Sequence, residues 1–292
     1  MSYAESEITS QPECWRRAAQ LVTAHSAALP KPGERVAVAG CGTSWFIGQS
    51  YAALRESHDH GETDAFAASE MPLHRRYDRV LVISRSGTTT EVLDLVRQLP
   101  TGTPTVAITG TADSPINTLA GDTILLDWAD ESSVVQTRFA TSVLALLRTH
   151  VGEDLTQAVR DAETALADPL PLTPDDLEQI TFLGQGWTVG LANEAALKLR
   201  EAATFWTEAY PAMDYRHGPI SIAQPGRAVW SFGPPPDGLA DDVASTGATL
   251  VADDLDPLAD LVRAQRLALA LAAHRGLDID TPRHLTRSVV LE

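Results

Sequence analysis

One stretch limits the possible folds more than any other. Residues 79–83 (R-V-L-V-I) form a short, β-branched run with the character of a buried strand. Ser84, Arg85, Ser86, Gly87 and three threonines, 88–90, follow as a turn crowded with hydroxyls. Val92, Leu93, Leu95, Val96 and Leu99 then recur at helical spacing, and Pro100 and Gly102 stop that helix. A strand that passes through small residues into a helix exposes free backbone N–H groups at the positive end of the helix dipole. The hydroxyls of Ser84, Ser86, Thr88 and Thr89 can donate to the same place, so the natural guest is a phosphate monoester. An ordinary N-cap with spare threonines is the plainer reading. The number of donors in so few residues favours the anion site.

The logic recurs upstream. Residues 35–39 read as a strand, and Gly40-Cys41-Gly42-Thr43-Ser44 turns into a helix over 45–56. This Gly-x-Gly lacks the third glycine and the later acidic residue of a dinucleotide fingerprint, so an oxidoreductase reading has little support. Short strands are expected at 64–67, 105–109 and 123–127, with a helix or turn at 116–120. Alternating strands and helices give an α/β fold with a doubly wound parallel sheet, whose ligands sit beyond the carboxyl ends of the strands. Both hydroxyl-rich elbows fall at that edge.

Composition sets outer limits. The chain has 292 residues and is 44% apolar, enough for one large or two ordinary domains. A net charge of −17 argues against nucleic acid and anionic membranes as partners, but not against a small anion held in a local nest. Cys14 and Cys41 show neither metal-ligand spacing nor a disulfide framework. The first twelve residues are polar and acidic, with no apolar leader core, and no apolar run is long enough to span a bilayer. The expectation is a cytoplasmic protein that needs no metal or cofactor.

Along the rest of the chain, residues 13–28 read as an amphipathic helix. The polar stretch 131–138 leads into helices over 139–149 and 152–168. Prolines 169, 171 and 174 mark the expected domain boundary, giving domains 1–168 and 169–292. The pattern then restarts: a strand at 179–183, a Gly-Gln-Gly turn, a helix over 188–206, strands at 227–232 and 248–252, and helices over 239–246 and 260–275. On the helix over 188–206, Leu191, Ala195, Leu199, Ala202 and Trp206 make an apolar stripe. Glu194, Lys198, Glu201 and Phe205 make a second stripe roughly 60° away, flanking the core. A boundary salt-bridge ladder explains those charges; so does a partly desolvated carboxylate, Glu201, placed as a general base beside Lys198. The loop 208–219, E-A-Y-P-A-M-D-Y-R-H-G-P, reads as irregular, and its His217 sits in a rigid Gly-Pro setting. A positioned His and a nearby Glu suit ring opening and carbon-to-carbon proton transfer in a sugar.

These residues resemble the sugar isomerase (SIS) domain family, most closely the isomerase half of the glucosamine-6-phosphate synthases. The matching motifs are G-C-G-T-S at 40–44, S-R-S-G-T-T at 84–89, E-A-A-L-K-L-R-E at 194–201, E-A-Y at 208–210, R-H-G-P at 216–219 and D-x-D-x-P-R-x-L-x-x-S-V at 278–289. The resemblance implies two tandem flavodoxin-like SIS domains, a homodimer, and a phosphorylated hexose or amino sugar as ligand. Thr43 and Ser44 would lie beside the sugar, and Ser84, Arg85 (through its backbone), Ser86 and Thr89 would hold the phosphate. Glu201 would move the proton between C1 and C2, Lys198 would sit near the substrate, and His217 would open the ring from the partner subunit. Two departures stand out. The sequence starts directly in the SIS region, so ammonia from a glutaminase domain in cis is not expected. Arg287 stands where the synthases carry a Schiff-base lysine, and a guanidinium cannot serve as a nucleophilic amine. Likewise, Gln136-Thr137-Arg138 stands for the family's S-T-K. The expected activity is aldose–ketose isomerisation or deamination of a 6-phosphosugar. The alternatives are a deglycase, with Arg287 or Arg138 meeting an amino-acid carboxylate, and a non-catalytic phosphosugar sensor.

Overall fold

A computed structural model describes residues 2–175 and 177–291. The chain opens with two helices, α1 (Tyr3–Thr9) and α2 (Gln11–Ala24). The first is not announced by the sequence, because its apolar signal is only Ala4 and Ile8. It is held instead by polar partners: Ser2 caps its first turn by accepting from the Glu5 amide, and the buried Glu7 carboxylate accepts from the hydroxyl and amide of Ser133. On α2, Trp15 is fully buried and its indole N–H donates to Thr141 at 2.9 Å.

The next elements alternate: β1 (Val36–Gly40), α3 (Thr43–Ser57), β2 (Thr63–Ala67), β3 (Arg79–Ile83), α4 (Thr90–Gln98), β4 (Thr105–Thr109), α5 (Pro115–Leu119), β5 (Asp122–Leu125), α6 (Arg138–His150) and α7 (Thr156–Ala167). The five strands form a parallel sheet in the order β2-β1-β3-β4-β5, the flavodoxin-type doubly wound order. Strands β1, β3 and β4 are buried along their whole length, as a parallel sheet covered on both faces requires. Ala37, Ala39, Val80, Val82 and Ala107 meet Val92, Leu95, Val96 and Ile116 in one core.

The chain continues through β6 (Gln179–Gly184), α8 (Thr188–Ala203), β7 (Thr207–Pro211), β8 (Arg227–Ser231), α9 (Leu239–Thr246), β9 (Thr249–Val251) and α10 (Pro257–His274). Among the described residues these strands form a second parallel sheet, β7-β6-β8-β9, which repeats the order of the first with one strand fewer. Strand β7 corrects the irregular reading of 208–219. It is an edge strand, so only Thr207 is buried and the alternation is weak; Pro211 closes it where an edge strand needs no donor. Helix α8 also ends earlier than expected. Thr204 adopts a left-handed backbone (φ 49°), and the Arg275 guanidinium donates to the last carbonyls, Ala203 and Thr204. Trp206 therefore leaves the apolar stripe and is 50% exposed.

Two compact units result, and neither follows the expected cut at 168/169. One comprises 1–12, 133–135 and 156–285; the other comprises 13–132, 136–155 and 286–292. Helix α7 belongs with the second sheet because it packs on α10: Arg266 donates to the carbonyls of Ala165 and Asp168, and Asp161 accepts the Asp256 amide. No helix among the described residues is long and apolar enough to cross a membrane.

Two consequences of this packing can be measured. A Cβ on Gly184 would lie 2.3 Å from the Thr188 carbonyl oxygen, in the backbone of the first turn of α8. Gly184→Ala should cost roughly 1–3 kcal/mol or more, read as a lower urea midpoint. His150 accepts or donates at 3.1 Å to the Tyr51 hydroxyl, and burial, with help from the charges of His60 and Arg55, pushes its pKa down to about 4. The unfolded chain then binds more protons below pH 6.5, so stability is lost as pH falls from 6.5 through 4. From this group the loss at pH 5 is on the order of 2 kcal/mol, and urea titrations of His150→Gln should show a flatter acid limb than wild type.

Candidate functional site

In the unit built on the first sheet, the two elbows lie side by side. β1 and β3 are paired neighbours, with Ala39 opposite Val82, and their chains leave in opposite directions along the sheet. In a doubly wound sheet that reversal is where ligands bind, beyond the carboxyl ends of the strands. Thr43 and Ser44 occupy the first turn of α3, both buried, behind Gly42 at φ 54°. Beside them the Cys41 thiol is pushed up to about 11 by burial and by the charge of Glu91, so it stays protonated.

The second elbow is tightly tied. Gly87 has φ 64°, and a Cβ there would fall 2.1 Å from the Ser114 hydroxyl, so only glycine fits. The Gly87 amide donates to Ser84 Oγ at 3.2 Å, and the Thr88 amide donates to Ser86 Oγ at 3.2 Å. Thr89 is the N-cap of α4, but its hydroxyl makes no capping bond to that helix. The Arg85 carbonyl accepts from the Thr109 and Thr111 hydroxyls and the Gly110 amide, which pins the turn to β4.

Sequence reasoning gives Arg85 a backbone role only. Its side chain is fully buried, 3.6 Å from the Glu131 carboxylate, and it donates to the Arg287 carbonyl at 3.1 Å. Glu131 is a position that sequence reasoning misses. Its Oε1 accepts from the amides of Thr137 and Arg138 and from the Thr137 hydroxyl, at 2.6–2.9 Å, so it caps the start of α6. The guanidinium of Arg138 donates to the Asp130 carbonyl. Arg287 also arrives here, with both Asp130 oxygens at 2.5 and 2.6 Å. Its neighbour Ser288 meets the hydroxyls of Ser86 and Thr88 at 3.1 and 2.9 Å. An E-S-S-V-V-Q-T-R stretch is a signal for Glu131 only in hindsight, because its partners come from three separate segments.

The other unit carries the charged group on α8. Glu194 and Lys198 are fully buried, deeper than a flanking stripe requires. The Lys198 ammonium lies 3.5 Å from Glu194 and 2.5 Å from Glu201. The Glu201 side chain remains 21% exposed. The Lys198 ammonium thus bridges two carboxylates, and the Arg200 guanidinium also interacts with both. Such a group can take up a proton from a neighbour that reaches Glu201.

Glu201 and His217 flank opposite ends of β7 along the chain. Glu201 sits in the last turn of α8, where the chain returns to the amino end of β7, while His217 follows the carboxyl end of β7. Five residues of strand separate those ends, about 16 Å at ~3.3 Å per residue. His217 is exposed, and its neighbour Arg216 is committed to Asp242 at 2.6 Å and to the Asp237 carbonyl.

The fold agrees with comparisons to known proteins. An SIS domain matches residues 31–149, the stretch that carries both elbows. The glutamine–fructose-6-phosphate aminotransferase of Bacillus subtilis is 27% identical over 99% of this chain and 58% of its own length. That of Halobacterium salinarum is 29% identical over 87% of this chain and 51% of its own. The chain thus spans a little over half the length of these relatives. Among solved structures, glucosamine-6-phosphate deaminase of Thermotoga maritima superposes with a TM-score of 0.81 at 24% identity, covering 99% of this chain and 100% of that one. Tagatose-6-phosphate ketose/aldose isomerase of Escherichia coli gives 0.77 at 19% identity, covering 96% and 95%. The fold is shared with both, and residues 31–149 of this chain are similar to the SIS domain.

Proposed function

We propose that the chain binds a hexose 6-phosphate or amino-sugar 6-phosphate and isomerises or deaminates it at C1 and C2. The observation that carries this is the turn 84–89 at the strand-order reversal, where amides and hydroxyls are gathered at the start of α4. Ser84, Ser86, Thr89 and the Arg85 backbone hold the phosphate, and Thr43 and Ser44 line the sugar. Glu201 moves a proton between the two carbons, giving an enediol or enolamine, and Lys198 fixes its carboxylate. His217 opens the ring. The named activities of the relatives and of the two solved structures, all on phosphosugars, support this class of substrate.

The second sheet, with its matching strand order, serves as a second SIS domain of a cytoplasmic enzyme. A homodimer supplies His217 from the partner subunit. The strand length between Glu201 and His217 in one chain is the reason to look for the imidazole in another copy. Arg287 cannot form a Schiff base, so the amine arrives on the substrate rather than through the enzyme. The deglycase alternative is weakened, since Arg287 is already engaged by Asp130 and Arg138 by a carbonyl.

Turnover of glucosamine 6-phosphate, followed as ammonia and ketose release, tests the reading. Glu201→Gln should lower kcat by roughly 10²–10⁴-fold while phosphosugar binding persists. No turnover of either sugar phosphate by wild type, or equal rates for the variant, would refute it. A shared site makes a further prediction. Mixing inactive Glu201→Gln and His217→Ala proteins should restore about a quarter of wild-type activity, because half of the re-paired dimers are mixed and each has one intact site. A mixture as inactive as its parts would place both groups in one chain.

A further inference from the structure

We propose that residues 286–291 compete with phosphate for the donors of the turn 84–89, and that the Arg287–Asp130 ion pair sets how firmly they hold. The proposal rests on the phosphate reading of that turn.

Three hydroxyls of the turn converge on one oxygen. Ser288 Oγ lies 3.1 Å from Ser86 Oγ, 2.9 Å from Thr88 Oγ1 and 3.5 Å from Thr89 Oγ1. Each of these hydroxyls has a single proton, so a donor turned to Ser288 is not available to an anion. The backbone is engaged as well. The Thr90 amide, first in α4, donates to the Val289 carbonyl at 3.1 Å, and Thr90 Oγ1 accepts from the Leu291 amide at 2.9 Å. Hydroxyl and helix-terminus donors, the two kinds that recognise a phosphate, are thus met by one segment of the same chain.

What fastens this segment is polar. Arg287 grips Asp130 through both carboxylate oxygens and also donates to the Glu131 carbonyl, while its own carbonyl accepts from Arg85. The side chains of Val289, Val290 and Leu291 are 51–65% exposed, so burial adds little to the hold. A phosphate dianion makes charge-assisted hydrogen bonds, roughly twice as strong as the neutral ones it would replace. Displacement is therefore feasible, and the measured affinity is reduced by the fraction of molecules in which the segment is docked.

The test titrates inorganic phosphate and glucosamine 6-phosphate into the full chain by calorimetry. Wild type is compared with Ser86→Ala, Asp130→Ala and Ser288→Ala. Asp130→Ala and Ser288→Ala should each bind phosphate about 3–10-fold more tightly, while Ser86→Ala should bind it about 10-fold more weakly. In hydrogen exchange, phosphate should speed exchange of the Leu291 amide. If Ser86→Ala binds weakly but the other two bind no tighter than wild type, or if phosphate protects Leu291, competition is refuted and the phosphate site stands. If Ser86→Ala binds as well as wild type, or none of the proteins binds phosphate, both readings fail.

Discussion

Neighbouring strands β1 and β3 run parallel and buried, yet the chain leaves β1 toward one edge of the sheet and β3 toward the other. Everything at the first elbow pair depends on that divergence. Helices α3 and α4 begin on either side of the gap; the first turn of α3 holds the buried hydroxyls of Thr43 and Ser44, and the turn before α4 those of Ser84 and Ser86. Gly87 shows how little freedom remains, since a single added carbon would strike Ser114. The hydroxyl cluster runs from buried Ser84 and Ser86 to half-buried Thr88, and its members bond one another and the backbone; an unpartnered group at its buried end would cost on the order of 1–3 kcal/mol.

The second unit solves a different problem, that of keeping charge inside. Lys198 and Glu194 lie wholly within the protein, and an isolated ammonium there would be prohibitive. Pairing with two carboxylates makes the burial tolerable and fixes Glu201 at the edge of the group. Replacing such a cluster with packed apolar residues is often neutral or stabilising. Its presence is therefore no evidence of added stability.

Local features of this molecule are legible without its three-dimensional form. β3 and α9 have the boundaries read from the sequence, because a dry parallel strand is a continuous apolar run and a short helix between glycines is punctuated at both ends. The turn 84–89 is legible for the same reason: its donors are consecutive. Non-local features are not. α1 rests on Glu7 meeting Ser133, and β7 shows only one buried residue to announce it. The apolar pattern of α8 runs on through Phe205 and Trp206, and only the left-handed Thr204 stops it. Ser288 reaches the hydroxyls of the turn across about 200 positions of sequence, a distance no periodicity spans.

The interlaced make-up of the two units bears on how the polypeptide comes to its native state. Residues 1–12 join helices and strands made long after them, and 286–292 join a sheet whose strands were made long before. During synthesis from the amino end, each unit lacks some of its own parts until the ribosome has passed the last helix. Fragments cut at residue 168 would each carry segments that belong to the other's unit. Isolating one sheet as a folding unit therefore means rejoining distant segments rather than trimming an end.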